Sequence, residues 1–286
     1  MTRPAAHAEQ PGSIVLTGGE ARVEVVPTLG GRVRGLQLGG RDWLLPGEGW
    51  EEQAGGESGP PLRDVELRTG AQGHMLRTVW RGDRAPWTLT RTLIVRPDGV
   101  VEARYEAVAT GQERLRFTWG AALHVPLEKT TRVHAPDAAR FHVGSAEGIP
   151  KGEAAPVAVQ PWPRLAVGER THDLSRPWGL PRTAHVGGWL DLAGARSDVQ
   201  VEQGGRTLRV HADGQLPPHC ALRFDRAGAR TGVKRGLFTR GPAPALALVP
   251  SLGVTDAAEA AGDARPACWL VPGEPRKWTL TFSVAR

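Results

Sequence analysis

Residues 87–108 read WTLTRTLIVRPDGVVEARYEAV, and this stretch decides the fold class. Apolar and polar residues alternate on both sides of Arg96-Pro-Asp-Gly99, which is the pattern of two strands that each bury one face. The proline presets φ and the glycine accepts a positive φ, so these four residues predict a tight turn. The stretch therefore predicts an antiparallel β-hairpin.

The same alternation recurs along most of the chain. Further predicted strands are Ala21–Val26, Arg32–Leu38, Leu115–Leu123, Val199–Glu202, Thr207–His211 and Lys277–Val284. Gln203-Gly-Gly205 predicts a second tight turn. Only Asp256–Ala261 indicates a helix, with Asp256 as N-cap and Gly262 at its end. About fifteen short strands with one short helix predict an all-β protein built as a large sandwich or barrel.

Two stretches, Pro46–Pro61 and Gly148–Arg182, are rich in proline or glycine and lack strand periodicity. They are predicted to be long loops, which are uncommon unless they are functional or mobile. Because the strand pattern resumes after each of them, neither is interpreted as a linker. The sequence predicts one domain over residues 1–286, with residues 1–13 as a flexible N-terminus.

Composition and charge narrow the class of protein. The 286 residues are 40% hydrophobic, which suffices for a folded core, and the formal net charge is +6. The arginines are dispersed among apolar residues, whereas a nucleic-acid-binding surface concentrates its charge. Two cysteines, the absence of a signal pattern before Ser13 and the absence of a long apolar window predict a cytoplasmic protein with no nucleic-acid and no membrane partner. The oligomeric state stays open.

Metal and covalent chemistry have little support in the sequence. His134 and His142 are eight residues apart, which is not a metal-ligand spacing, and no Cys-x-x-Cys occurs. The Gly-Gly pairs stand in turns and do not open a helix, so no phosphate-binding loop is predicted. We therefore expect no metal and no cofactor.

Four segments resemble, in order, the galactose mutarotase-like (aldose 1-epimerase) proteins. They are Ala21–Leu36 with Gly40–Leu44, Gln72–Trp80, Glu113–Leu127, and Ala245–Asp256 with Leu270–Glu274 and Trp278. The first holds the family's Pro-x-x-Gly-Gly turn; the second carries Met75 where the family has glycine. The resemblance implies a large twisted antiparallel β-sandwich, the supersandwich, with a cleft on one concave sheet that binds a small-molecule carbohydrate.

The resemblance also implies a reaction that needs an acid and a base. Family members interconvert the α and β anomers of aldoses: a base takes the proton of the O1 hydroxyl while an acid protonates the ring oxygen O5. His124 matches the family's acidic histidine, and an imidazole, whose ordinary pKa is roughly 6.5, holds and releases a proton near neutrality. Where the family carries its general-base glutamate, in the strand that matches Leu246–Pro250, this chain has Val249. Asp225 and Glu128 are the first carboxylates considered as substitutes.

Further residues are implied in sugar binding. His74 and Arg77 match the family positions that hold the sugar hydroxyls and ring oxygen, and Asp191 is matched to an aspartate that binds hydroxyls. The chain has ten tryptophans against one tyrosine, and indole faces pack well on the apolar face of a pyranose. Trp119, five residues before His124, and Trp189 are the tryptophans expected in the site.

Two hypotheses of different classes remain open at this stage. The first is an aldose 1-epimerase-like isomerase with an unusual base, favoured by His124 and His74. The second is a non-catalytic carbohydrate-binding or regulatory module that has lost its base, favoured by Val249. A carboxylate across the cleft from His124 would discriminate between them.

Overall fold

The computed structural model describes residues 12–58, 60–70, 73–149, 158–192, 197–215, 219–227, 243–252 and 268–285. Within these ranges the chain forms 24 strands and two short 3₁₀ turns, and no α-helix. The prediction of an all-β antiparallel sandwich is confirmed. The predicted helix Asp256–Ala261 and residues 1–11 of the predicted N-terminal segment lie outside the described residues. No helix in the described ranges is long and apolar enough to cross a bilayer.

The first of the two main sheets, called the large sheet, has 12 strands. They are β1 (Ile14–Gly18), β2 (Ala21–Val26), β3 (Arg32–Leu38), β4 (Arg41–Asp42), β5 (Trp50–Ala54), β6 (Glu57–Ser58), β12 (Trp119–Pro126), β14 (Arg140–Glu147), β15 (Val159–Pro161), β18 (His185–Asp191), β21 (His219–Asp225) and β22 (Ala245–Leu252). Their order is β1-β2-β3-β5-β12-β22-β21-β18-β14-β15, with β4 beside β3 and β6 beside β5.

The second sheet, called the small sheet, has eight strands in the order β13-β19-β20-β24-β10-β9-β8-β7. They are β7 (Leu62–Gly70), β8 (Gly73–Arg81), β9 (Trp87–Val95), β10 (Val101–Ala109), β13 (Arg132–His134), β19 (Ser197–Gln203), β20 (Arg206–Gly214) and β24 (Arg276–Ala285). Two short two-stranded sheets complete the fold: β11 (Leu115–Phe117) with β23 (Cys268–Leu270), and β16 (Arg164–Val167) with β17 (Arg170–Asp173). Neighbouring strands in both sheets are antiparallel.

One hydrophobic cluster includes side chains from both sheets. Trp50 and Leu123 come from the large sheet, and Leu93 and Phe282 from the small sheet. The rings of Trp50 and Phe282 lie 5.0 Å apart, so the inner faces are in direct contact. Because successive side chains of a strand point to opposite faces, the residues between these core positions project from the outer faces of the sandwich.

Both predicted hairpins are present. In β19–β20, Gln203 pairs with Arg206 across Gly204 and Gly205, whose φ angles are 56° and 75°. A two-residue turn with positive φ at both positions is the type that glycine adopts without strain. In β9–β10, Val95 pairs with Val101 across the predicted Pro-Asp-Gly turn.

Three predictions about local structure are wrong. Leu115–Leu123 is not one strand: it divides at Thr118 into β11 and β12, which belong to different sheets. The predicted loop Pro46–Pro61 contains β5 and β6, and Gly148–Arg182 contains β15, β16 and β17. In β5 the inward position between Trp50 and Ala54 is Glu52, a charged residue, so the sequence shows no apolar alternation there.

Candidate functional site

The outer face of the large sheet carries His124. In β12 the core positions are Trp119, Ala121, Leu123 and Val125. The intervening residues, among them Gly120, Ala122 and His124, therefore point away from the core. His124 is the only one of these three with a functional side chain, and it is half-buried.

Strand register defines what lies beside His124 on this face. Crossing the sheet from β12, His124 pairs with Ala247, Ala247 with Arg223, and Arg223 with Gly187. The neighbouring row contains Val249, Ala221, Trp189 and His142, again in pairs. The middle of the face thus consists of the small residues Ala247, Val249 and Ala221. Larger polar and aromatic side chains surround them.

Val249 belongs to this surface. A side-chain carbon placed on Gly120 would lie 3.0 Å from Val249 Cγ1, so the valine side chain projects on the same face as Gly120 and His124. Val249 stands two residues along β22 from Ala247, the partner of His124. The position that the resemblance assigns to the general base therefore faces the same surface as His124, and it is apolar.

A short loop binds the backbone of His124. The Leu45 amide donates to the His124 carbonyl at 2.7 Å, and the His124 amide donates to the Gly49 carbonyl at 3.0 Å. The amides of Glu48 and Gly49 both donate to the Leu45 carbonyl at 3.1 Å, which closes the loop. Gly49 has φ 70°, and a side chain there would clash with the Val33 carbonyl, so only glycine fits. These bonds bring Glu48 next to His124.

Burial and nearby charges set the protonation of His124. Burial lowers the pKa of His124 below its ordinary value of 6.5; Glu48 and Glu51 raise this pKa, and Arg223 and Arg32 lower it further. The net effect is a lowered pKa, because taking the imidazolium out of water is the largest contribution. The ring is therefore mostly neutral at pH 7, in a setting where two carboxylates and two guanidiniums are within electrostatic reach.

The two carboxylates differ in their partners. Glu51, on the outer face of β5 opposite Ala122, forms an ion pair with Arg32. Within the described part of the chain, no residue forms a hydrogen bond or ion pair with the half-buried Glu48 carboxylate. A carboxylate that is not held in an ion pair has its oxygens available to a sugar hydroxyl. Glu48 is therefore the better candidate for a base near His124.

The two carboxylates first considered as substitutes lie elsewhere. Asp225 is on the outer face, but its Oδ1 is 2.8 Å from Nδ1 of His185. It stands two strands and two residues away from His124, which corresponds to about 12 Å between Cα atoms. Glu128 lies in the turn after β12 and forms an ion pair with Arg41. Neither shares the immediate surroundings of His124.

Trp119 does not belong to the outer face. It is fully buried on the inner face, its Nε1 donates to Glu52 Oε2 at 3.0 Å, and its ring packs against Tyr105 and Trp278. The expectation that Trp119 contacts the ligand is wrong. Its place in the core follows from strand alternation, because Trp119 and His124 are an odd number of residues apart in one strand.

His74 and Arg77 are not brought to His124. Both are on β8 in the small sheet. His74 Nδ1 accepts a hydrogen bond from the Thr17 amide at 3.3 Å, and the exposed Arg77 pairs with Asp64 on the neighbouring strand β7. The expectation that these two residues bind the same sugar as His124 is corrected. The strand beside β12 is β5, not β8, so the side chains near His124 are Glu48, Glu51 and the Arg32 paired to Glu51.

Trp189 and Asp191 do lie on the outer face of the large sheet, on β18. Trp189 stacks on His142, with 3.5 Å between ring centroids and 15° between planes. In the large sheet, β18 is three strands away from β12. Trp189 and Asp191 therefore form a second group on the same surface, apart from His124. Arg32, Glu48, Glu51 and Arg223 were not expected from the sequence.

Comparisons with known proteins identify the fold. No protein family profile and no curated protein sequence matches the chain. Among solved structures, it resembles a galactose mutarotase-like protein from Clostridium acetobutylicum, with a TM-score of 0.61, 10% identity and coverage of 96% of this chain and 95% of the other. It also resembles an aldose epimerase homologue from C. elegans, with a TM-score of 0.57, 11% identity and coverage of 96% of this chain and 99% of the other. A galactose mutarotase-like protein from Lactobacillus casei has a TM-score of 0.55 and 12% identity, with coverage of 96% of this chain and 100% of the other.

Proposed function

We propose that this chain, which has the galactose mutarotase-like fold, binds an aldose on the outer face of its large sheet and exchanges the anomers of that sugar. His124 is the acid and Glu48 is the base. The observation that carries the proposal is the loop that forms hydrogen bonds with both backbone groups of His124 and holds Glu48 within electrostatic reach of the imidazole. The small residues Ala247 and Ala221, on the two strands next to β12, leave room for a ring in front of this pair.

The proposed reaction moves two protons and returns them. Glu48 takes the proton of the O1 hydroxyl while protonated His124 gives its proton to O5, and the C1–O5 bond breaks to leave an open-chain aldehyde. After rotation about the C1–C2 bond, His124 recovers its proton from the O5 hydroxyl and Glu48 returns its proton to O1 as the ring closes. Arg223 and the Arg32–Glu51 pair are placed to bind the remaining hydroxyls.

A second candidate function is sugar binding without catalysis, and Val249 favours it. The apolar side chain shares the surface of His124 at the position where the resemblance places the base. If the protein binds sugar without catalysis, the outer face of the large sheet still binds the sugar through its hydrogen-bonding groups. The Glu48 carboxylate then does not reach the O1 hydroxyl of the bound sugar.

Anomer exchange measured by NMR tests the proposal. Freshly dissolved α-D-glucose and α-D-galactose are followed toward equilibrium with and without protein, and binding of the same sugars is measured by saturation transfer. We expect faster exchange with wild type and loss of the acceleration, with retained binding, in His124→Ala. Binding without acceleration in wild type supports the second candidate, and the absence of both binding and acceleration overturns both functions.

The pH dependence of exchange follows from the lowered pKa of His124. Because the acid form is the imidazolium, we expect kcat/KM to fall as pH rises through a value below 6.5. Arg223→Gln removes a positive charge that lowers this pKa, so the descending limb should move to higher pH; Glu51→Gln should move it to lower pH. Rate profiles from pH 4.5 to 8.5 measure both shifts. Limbs that stay fixed in both variants would exclude His124 as the titrating group.

Val249→Glu separates the two candidate functions. If Glu48 already acts as base, an added carboxylate on this face changes the exchange rate by less than about tenfold, which is the outcome we expect. If the wild type lacks a base, the same substitution raises the rate by about 10²–10⁴-fold. Val249→Gln is the matched control, because it adds the same bulk without a proton acceptor. NMR exchange rates of the three proteins decide between the outcomes.

A further inference from the structure

The strands at the ends of the two main sheets differ in length. Within the described ranges, the edge strands β13 and β15 have three residues each, and β1 has five. The edge strand β7 of the small sheet has nine residues. Folded proteins commonly keep their edge strands short, because unpaired amides and carbonyls along an edge can pair with another chain. Among these four edge strands, β7 departs from this pattern.

Strand register shows which backbone groups of β7 are unpaired. The Arg96 amide donates to the Val100 carbonyl at 2.9 Å, so Arg96 bonds toward β10. Because alternate residues of a strand bond to opposite neighbours, Val95 bonds toward β8, where its partner is His74. The same alternation, followed along β8 and across to β7, directs the amide and carbonyl of Leu67 away from β8. Among the described residues, none pairs with this side of β7.

Leu67 is also an exposed apolar side chain at this edge. It pairs with Leu76 of β8, which belongs to the core, so both side chains project from the same face of the small sheet. Leu76 is fully buried, whereas Leu67 is 54% exposed. On the opposite face of the strand, Glu66 and Arg68 flank Leu67 and form an ion pair with each other. The edge therefore presents one apolar residue between two residues of opposite charge.

This edge is complementary to itself. When two copies of β7 pair antiparallel around a twofold axis at Leu67, residues at equal distances on either side of Leu67 lie opposite each other. The two leucines then face each other, and Glu66 of each copy lies opposite Arg68 of the other. Val65 lies opposite Thr69, and the backbone groups of both residues point to the free edge, since each is two residues from Leu67. Opposite charges and apolar side chains in such cross-strand positions stabilise the pairing.

Other twofold registers of β7 are less favourable. An axis at Glu66 places the two glutamates opposite each other, and an axis at Arg68 does the same with the two arginines. An axis at Val65 places Asp64 opposite Glu66. Like charges that lie directly opposite each other destabilise a strand pair. The axis at Leu67 is therefore preferred on grounds of charge as well as of backbone pairing.

We infer that the protein forms a twofold homodimer in which β7 of one copy pairs antiparallel with β7 of the other around Leu67. The pairing adds about six backbone hydrogen bonds, two between the leucines and two in each Val65–Thr69 pair. It joins the two small sheets into one continuous sheet and does not involve the outer face of the large sheet, where His124 lies. Because contact between two sheet edges is small, we expect a dissociation constant in the micromolar range.

Sedimentation velocity of the full chain over the micromolar concentration range tests the inference. We expect wild type to change from monomer to dimer as its concentration rises. Arg68→Glu and Glu66→Arg should each weaken dimerisation by about tenfold, because two cross-strand pairs change from attraction to repulsion. The protein with both substitutions again has opposite charges across the axis and should dimerise with nearly the wild-type affinity. This recovery also shows that the single variants do not act through misfolding.

Two further variants complete the test. Thr69→Pro removes an unpaired amide at a position where an edge strand tolerates proline, and it should also weaken dimerisation by about tenfold. Arg104→Glu is the matched control, because it makes the same charge change at an exposed arginine of β10, inside the small sheet, and should leave dimerisation unchanged. A wild type that stays monomeric overturns the inference. A dimer that survives Arg68→Glu or Thr69→Pro, or that the double substitution does not restore, overturns it as well.

Discussion

Replacing Arg91 with leucine is expected to lower the free energy of unfolding by about 3–5 kcal/mol, because it leaves the Glu52 carboxylate buried without its cation. Arg91 and Glu52 side chains are 0% and 2% exposed. Arg91 Nη1 donates to Glu52 at 2.9 Å and Nη2 donates to the Gly31 carbonyl at 2.7 Å, so the guanidinium links β9 to β5 and to the turn before β3. Urea unfolding followed by tryptophan fluorescence measures the loss.

The other partners of Glu52 do not replace Arg91. The Tyr105 hydroxyl and Trp119 Nε1 donate to the carboxylate at 2.9 and 3.0 Å, but both are neutral. Burial already raises the pKa of Glu52 above 4.5, and the Arg91 charge is the strongest opposing influence. Without Arg91 this pKa rises further. The folded variant then binds a proton more readily than the unfolded chain, so its stability increases as pH falls from the folded pKa toward 4.5.

Two comparisons test this explanation of the Arg91 effect. Arg91→Leu combined with Glu52→Leu removes both charges and should recover most of the loss, as expected for a buried ion pair replaced by apolar groups. Arg63→Leu breaks the exposed pair with Asp83 and should cost less than about 1 kcal/mol. If Arg91→Leu is no worse than Arg63→Leu, or if its cost is the same at pH 5 and pH 8, the buried-charge explanation is wrong.

The sequence was informative where structure is local. The turns at Pro97-Asp-Gly99 and Gly204-Gly205 follow from the φ preferences of proline and glycine, and β2 and β3 have the predicted bounds. Strand alternation also predicts the position of Trp119 in the core, because two residues an odd number apart in one strand have side chains on opposite faces. The expectation of a tryptophan next to His124 overlooked this.

The neighbours of His124 could not be read locally. Which strand pairs with β12 is decided by contacts between residues that are far apart in the sequence. The Glu-rich β5 also lacks the apolar pattern that identifies a strand, because its inward position is occupied by Glu52. That charge is compatible with the core because Arg91 of the other sheet forms an ion pair with it. The His74–Arg77 segment, which was matched to the family's sugar-binding positions, pairs within the small sheet. The one available signal was the concentration of glutamates between Pro46 and Pro61, a stretch singled out as functional or mobile.

Replacing Glu48 with glutamine is expected to lower kcat for anomer exchange by about 10²–10⁴-fold, because the amide keeps the shape of the side chain but does not accept the O1 proton. The loop that places this residue is held by backbone bonds to Leu45 and His124, which the substitution does not touch. Affinity for the sugar should therefore change little, and the loss should appear in kcat rather than in KM.

Two further proteins make the Glu48 result specific. Glu128→Gln removes an exposed carboxylate on the chain segment that follows His124 and should leave the exchange rate unchanged. Val249→Glu in the Glu48→Gln background restores a carboxylate to the same surface from β22, where the side chain faces Gly120, and should recover part of the lost rate. Recovery of this kind needs only a proton acceptor near O1, so it separates a chemical role of Glu48 from a structural role of its loop. A Glu48→Gln rate equal to wild type would remove Glu48 from the mechanism and leave His124 without its proposed partner.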